Sequence, residues 1–204
     1  MSPATPRPVV RDPDLKKRKI LEAARGLLVD RDFSDIVLDD VAKKAGVAKG
    51  TLFLYFKSKE ELFSAAFADL SDSLGLELSA LIKAEVKGKE LLIAVAKVLL
   101  GHFDRNRDFL GHAGAGRLPN CGARSREKML EKYRANQALI LKILAAASKD
   151  GGRSMPDPEF AAVALIGLCR SAAIRKLVHG RAGALEREAE HVVAFFVGGA
   201  GISL

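Results

Sequence analysis

From residue 14 onward, short polar stretches separate apolar residues that recur at helical spacing. Ile20, Ala23, Ala24, Leu27 and Leu28 fall at i, i+3, i+4, i+7 and i+8, which predicts a helix over residues 14–31 with Asp14 as its capping side chain. Leu38, Val41, Ala42 and Ala45 repeat that spacing over a shorter segment, which Gly46 stops. After a short gap it resumes with Ala48, Leu52, Tyr55 and Phe56. Ser58, Lys59, Glu60 and Glu61 form a capping box. The helix it opens can run through Leu62, Ala66, Leu70, Leu74, Leu78 and Leu81 to the break at Lys87 and Gly88.

The rest of the chain shows little of the alternation that marks strands. Residues 89–103 form an apolar helical segment, and a short one follows over 105–112. The glycine-rich stretch GHAGAGRLPNCG interrupts the pattern. Met129, Tyr133, Gln137, Ile140, Leu144 and Ala147 then mark a long helix over 123–148, closed by Gly151 and Gly152. Asp157, Pro158 and Glu159 supply a cap, a first-turn proline and an acid facing the helix dipole, so another helix starts there and reaches His179 and Gly180. A last one spans 184–197, before Gly198 and Gly199. The pattern predicts an all-α chain of about nine helices.

Composition narrows the class. At 204 residues, 49% hydrophobic and 28% charged, the chain can bury a large core, which excludes disorder as its main state. Its longest apolar run, residues 160–169, is about half of the roughly 20 residues that a membrane-spanning helix needs. The opening text, MSPATPRPVVRDPD, has no apolar stretch fit for a signal peptide, so a soluble cytoplasmic protein without membrane partners is expected. Residues 1–13 are rich in proline and carry Arg7 and Arg11, which reads as a flexible basic arm. Cys121 and Cys169 are too far apart for a CxxC metal site, and reduced thiols are expected. Lys and Arg number 33 against 25 Asp and Glu, a net charge of +8 that favours polyanions: nucleic acid first, anionic membrane second, anionic small molecules third.

Residues 37–56, VLDDVAKKAGVAKGTLFLYF, join two short helices through a tight glycine turn, the layout of a helix-turn-helix. Ala42, Ala45 and Ala48 let the helices approach closely, and Gly46 gives the turn its backbone freedom. Lys49, Gly50, Thr51, Leu54 and Tyr55 are left on the outward side or edge of the second helix, where Lys49 and Thr51 can donate to base edges or phosphates and Tyr55 to a phosphate. Lys57 and Lys59 add cations at the following turn. Leu52 and Phe56 read as core, and the aromatic cluster of Phe53, Tyr55, Phe56, Phe63 and Phe67 as mostly packing. The run Lys16, Lys17, Arg18, Lys19 reads either as phosphate-contacting or as a solvated helix start.

Residues 16–67 resemble the N-terminal domain of TetR-type transcriptional regulators, on the text KILEAARGLLVDRDF followed by DDVAKKAGVAKGTLFLYFKSKEELFSAAF. The resemblance implies a helix-turn-helix DNA-binding domain over 14–60 and a helical effector-binding and dimerisation domain over 61–204. It makes 37–45 the supporting helix and 48–56 the recognition helix. It places Lys49, Gly50, Thr51 and Tyr55 at base and phosphate contacts, and matches Lys59 to a lysine that commonly meets a phosphate. Three departures stand out: Asp32 where the family usually has Gly, Ile36 and Val37 for its usual threonines, and Phe53 for its usual Tyr. They put in doubt the shape of the first turn, the cap of the supporting helix and a phosphate donor.

For the second domain, Leu92, Val95, Leu99, Phe103, Phe109, Tyr133, Ile140 and Leu165 are the expected apolar lining of an effector cavity. His102, Asn136, Gln137 and Arg170 are its candidate polar contacts, since polar groups in such a seam are costly to leave unpaired; each also reads, and more readily, as a satisfied structural group or a surface side chain. Arg105, Arg107, Arg117, Arg124 and Arg126 gather around the glycine-rich connection, and read either as a solvated surface or as a receiver for an anionic effector such as an acyl-coenzyme A. The last two helices, about 157–179 and 184–198, look apolar on more than one face, which together with the resemblance predicts a homodimer and hence a near-palindromic double-stranded DNA operator.

The function expected is a one-component transcriptional regulator, in the repressing sense, released by a small-molecule effector. The alternatives are a basic all-α protein that binds nucleic acid or membrane without sequence preference, and an enzyme. Against the enzyme, His102, His112, His179 and His191 form no metal pair, and no nucleophile motif or phosphate loop appears, so no catalytic residue, metal or cofactor is expected.

Overall fold

A computed structural model describes residues 13–107, 109–110, 123–148, 157–179 and 183–200. The N-terminal arm and the glycine-rich connection, with His112, Arg117 and Cys121, lie outside them. The order is α1 (Pro13–Leu27), a 3-10 turn (Phe33–Asp35), α2 (Leu38–Ala45), α3 (Lys49–Tyr55), α4 (Lys59–Lys83), α5 (Gly88–Arg105), α6 (Ala123–Ser148), α7 (Pro158–His179), a second 3-10 turn (Leu185–Glu188) and α8 (Ala189–Ala200). The described residues are thus all-α, with eight α-helices.

Several ends differ from the sequence expectation. The first helix begins at Pro13, so Asp14 lies inside its first turn instead of capping it. It ends at Leu27 and not near residue 31, because the Leu28 N–H turns back to the Arg25 carbonyl (3.2 Å) and carries Leu28 into the core. The fourth helix stops at Lys83, where Ala84 becomes extended, short of Lys87. The last helix is preceded by a 3-10 turn and runs on through Gly198 and Gly199.

Two apolar clusters organise the chain. The first gathers Ile20, Ala24 and Leu28 of α1 with Ile36, Val41, Leu52 and Phe56, and takes in Leu62, Phe63, Ala66 and Leu70 from the start of α4. The second holds Leu78 from the far end of α4 with Leu92, Val95 and Leu99 of α5, Ile140 and Leu144 of α6, Leu165 and Cys169 of α7, and Val193 and Phe196 of α8. The packing therefore divides along α4, further on than the expected boundary at residue 60. One rod belongs to both cores. Cys169 is fully buried, and desolvation pushes its thiol up to about 12, so it is unreactive at neutral pH.

Phe109 corrects an expectation. It lies in the first cluster, its ring stacked on Phe63 at 6.4 Å, instead of lining a cavity in the second domain. Phe63 in turn meets Phe33 edge-on at 5.0 Å.

Candidate nucleic-acid interface

The supporting helix α2 begins after Val37, which is extended and offers no side-chain cap, as the missing threonine implies. Asp39 and Asp40 in its first turn complement the exposed N–H groups by charge. Ile36, at the other departure, is fully buried core. Asp32 has φ −69 and ψ 152, an ordinary extended conformation that needs no glycine.

Gly46 closes α2 in the left-handed region (φ 66, ψ 34), with the Val47 N–H on the Ala42 carbonyl at 3.0 Å and its own N–H on the Lys43 carbonyl at 3.2 Å. These bonds satisfy the last carbonyls and turn the chain sharply. A side chain at this φ would be strained, which is the physical need for glycine here. The turn delivers α3 with Leu52 fully buried and Phe56 closing the helix against the core.

The outward side of α3 is then defined. Leu54 is 85% exposed and Phe53 41% exposed. Gly50 is exposed, with nothing within 4 Å of where a Cβ would stand. Thr51 and Tyr55 are half-buried at the edges, and Lys49 and Lys57 are exposed. Phe53, expected to be mostly packing, turns outward instead. The signal was available, since residues 50, 53 and 54 share a face at i, i+3 and i+4 while Leu52 and Phe56 define the opposite one.

Two lysines behave differently. The Lys49 ammonium pairs with Asp39 at 2.9 Å on the surface, in an exposed ion pair that is easily exchanged for another anion. Lys59 turns inward. Its ammonium donates to the carbonyls of Phe33 (2.7 Å), Ser34 (3.1 Å) and Ile36 (2.9 Å), and sits 4.2 Å from the centre of the Phe33 ring. A lysine has three donors, so this cradle uses them all. Lys59 therefore clamps the turn that precedes α2, a different part from the outward phosphate donor expected of it. The capping box opening α4 is shifted as well. Ser58 accepts from the Glu61 N–H (3.1 Å), but the Glu61 carboxylate accepts from the N–H of Lys57 (2.9 Å) and not of Ser58. Arg25 to Asp69 (2.8 Å) and Lys44 to the Gly26 carbonyl (2.6 Å) tie α1 to α4 and to α2.

The candidate effector residues do not converge. His102 is buried on α5, where desolvation, with help from the Arg105 charge, lowers its pKa to about 4; it is neutral at pH 7. Phe103 is half-buried, its ring 6.0 Å from the imidazole. Asn136 donates to the Ser71 carbonyl (2.9 Å) and lines a groove of about 370 Å³ between α4 and α6, with Asp72, Gly75, Leu76, Lys132 and Leu139. None of the other candidates lines it. Gln137 is half-buried, Tyr133 is 41% exposed and Arg170 is exposed. Tyr133 is thus corrected from interior to surface, and Arg170 takes the surface alternative: the polar face of a helix can interrupt an apolar run without entering the core.

The arginines around the connection are partly committed. Arg105 holds Glu77 of α4 (2.9 and 3.1 Å) and approaches Glu186 (3.8 Å), while Arg107 approaches Asp104 (3.9 Å). Burial alone would raise the Asp104 pKa, but Lys176 (2.7 and 2.8 Å), the Leu185 N–H (3.2 Å) and Arg107 outweigh it and bring it below the usual range. Arg126 is exposed at the start of α6.

Among the described residues no cluster of His, Cys, Asp and Glu could hold a metal ion, and no helix is long and apolar enough to cross a membrane. Three helices packed on the start of α4, the third of them with one face exposed, form a helix-turn-helix unit and place the chain among helix-turn-helix folds.

Comparison with known proteins narrows this class. Residues 20–66 match the sequence model described as bacterial regulatory proteins, tetR family. The fatty acid metabolism regulator protein of Bacillus subtilis is 32% identical over 88 residues, 43% of this chain and 44% of that protein. The regulator EthR of Mycobacterium tuberculosis is 47% identical over 47 residues, 23% of this chain and 22% of that one. The chain thus aligns with less than half of the length of these relatives. In solved structures the likeness spans nearly the whole fold. The fatty acid degradation regulator FadR of Bacillus halodurans superposes with a TM-score of 0.78 at 19% identity, covering 90% of this chain and 95% of that one. FadR of Bacillus subtilis, solved in complex with stearoyl-CoA, gives 0.76 at 21% identity, covering 89% and 98%.

Proposed function

We propose that the protein is a sequence-specific DNA-binding transcriptional repressor, released from a near-palindromic operator by a small-molecule effector. The observation that carries this is the α2–Gly46–α3 unit, whose second helix is anchored by Leu52 and Phe56 and leaves its opposite face clear. Lys49, Gly50, Thr51, Leu54, Tyr55 and Lys57 are its contact residues, and the exposed Lys16, Lys17, Arg18 and Lys19 at the start of α1 add positive charge to the same end of the chain. The net charge of +8 favours approach to a duplex. Non-specific binding rests on that charge alone and leaves the shaped α3 face without a role, so it is the lesser reading.

The working unit is a homodimer through α7 and α8. Phe160, Val163, Ile174 and Val178 of α7 and Phe195 of α8 are exposed, the first four at spacings that keep them on one side of the helix. Gly167 and Ser171 between them permit close helix contact. A two-fold pair presents two copies of α3 to successive turns of the major groove.

The effector is an acyl compound with an anionic head, such as an acyl-coenzyme A. The names of the FadR structures and the apolar make-up of the second domain support this class. Binding there would move α4, which is shared by both cores. A coupling of ~1–3 kcal/mol suffices for a 5–150-fold change in occupancy.

Selection of bound duplexes from random DNA, followed by challenge with acyl-coenzyme A compounds, tests the reading. A palindromic consensus bound at least ~10³ more tightly than random duplex is the expected result. Recovery of no consensus would sink the assignment, and release by none of the acyl compounds would remove the effector class.

A further inference from the structure

The outward face of α3 has an unusual chemistry for a surface that meets nucleic acid. Its three members are Gly50, Phe53 and Leu54, and none carries a side-chain donor or acceptor. Leu54 is the most exposed large apolar side chain of the chain's described residues, at 85%. It stands across the helix from fully buried Leu52, so it has no packing role to explain it. Polar groups flank this face without occupying it. Thr51 and Tyr55 are half-buried at one edge, Lys49 is paired to Asp39 at the other, and Lys57 stands beyond the helix end.

The cations around the patch indicate a polyanion as its occupant, while the patch itself is apolar. In the major groove of DNA the apolar feature among the base edges is the 5-methyl group of thymine. The open space over Gly50 lets a base edge come close to the backbone, which brings the neighbouring Leu54 side chain within reach of that methyl.

We propose that Leu54, flanked by Phe53, reads thymine 5-methyl groups, so that operator choice at this position rests on apolar contact and not on hydrogen bonds. The inference deepens the repressor reading and rests on it. It places at least one thymine in each half-site opposite the centre of α3. Burial of one methyl is worth about fourfold in affinity, and roughly fifteenfold over two half-sites.

The test uses the full chain and the consensus duplex from the selection, synthesised with thymine or with deoxyuracil at single positions. Deoxyuracil keeps every hydrogen-bonding group and removes the methyl. The wild-type chain should bind the deoxyuracil duplex about four- to fifteenfold more weakly at one symmetric pair of positions. Leu54→Ala should bind both duplexes alike, near the wild-type affinity for the deoxyuracil form, and should melt at the wild-type temperature because Leu54 touches no core. Equal wild-type affinity for the two duplexes, a consensus without thymine opposite α3, or full discrimination surviving in Leu54→Ala would each overturn the inference while leaving the repressor intact. Failure to select any duplex would instead overturn the repressor reading, and this inference with it.

Discussion

Two apolar faces stand open to solvent, one on α3 and one on α7 and α8, and they are built differently. On α3, Phe53 and Leu54 rise from a seven-residue helix with lysines at its margins. On α7, Phe160, Val163, Ile174 and Val178 extend along roughly 27 Å of helix at 1.5 Å per residue, and Phe195 of α8 is exposed as well. A short apolar tip among cations fits the floor of a charged groove. A long apolar strip whose nearby Arg175 and Lys176 are already paired with Glu188 and Asp104 fits another copy of itself. On the function proposed above both are interfaces, and length and flanking charge tell the partners apart.

The largest effect should come from the long strip. Phe160→Glu combined with Ile174→Glu places charges on exposed positions, so the helices should still form while the pair dissociates. Sedimentation should show a monomer, and operator affinity should fall at least about 100-fold, because two linked half-sites become independent. A dimer persisting in the double variant would move the seam elsewhere and leave the α7 face without a function.

Acid should release the domain that carries the strip. His102 has a folded pKa of about 4 against 6.5 unfolded, so the unfolded chain binds the extra proton first. Its contribution to stability is intact above pH 6.5 and is lost as pH falls toward 4, by about 3 kcal/mol over that window. Asp104, with its depressed pKa, adds a loss in the same direction at lower pH. Urea titrations at pH 7 and 4.5 should show the drop, and His102→Leu should flatten it. An unchanged slope in that variant would assign the acid sensitivity to the carboxylates.

The head should answer to Lys59. Lys59→Met removes three hydrogen bonds from a charged donor and should destabilise the head by about 2 kcal/mol, with faster amide exchange over residues 33–36. Lys59→Arg should recover part of this. Because the ammonium faces inward, the salt dependence of operator binding should keep its slope. A slope reduced by about one unit would return Lys59 to the phosphate.

What the sequence disclosed follows from how local each cause was. The helices, the Gly46 turn and the buried Leu52 and Phe56 were legible because period and turn chemistry act over a few residues. The inward course of Lys59 was not, because its partners lie 23 to 26 residues earlier in the chain. Phe109 was misplaced for a similar reason: its spacing continues α5, but its partner is Phe63 on α4. Tyr133 lies on a helix whose apolar residues made a whole segment look buried. The short helix ends depended on single carbonyls, such as that of Arg25, and these have no compositional mark.

The smallest predicted effect separates the lysine that faces out from the one that faces in. Lys49 is held by Asp39 at 2.9 Å, with both side chains more than half exposed, and such a pair is worth only about 0.2–1 kcal/mol. DNA must displace Asp39 to claim the cation, so the carboxylate acts against binding both as a competitor and as a negative charge near phosphates. Asp39→Asn should therefore raise affinity for operator and random duplex alike, by about 1.4-fold to fivefold, the span of that pair energy. The gain should fade with salt, whereas the thymine preference of Leu54 should not. Lys49→Ala should lower both affinities and reduce the salt slope by about one unit. If Asp39→Asn left random-duplex binding unchanged while Lys49→Ala altered only the operator, Lys49 would be a base reader, and sequence choice would no longer belong to the apolar face alone.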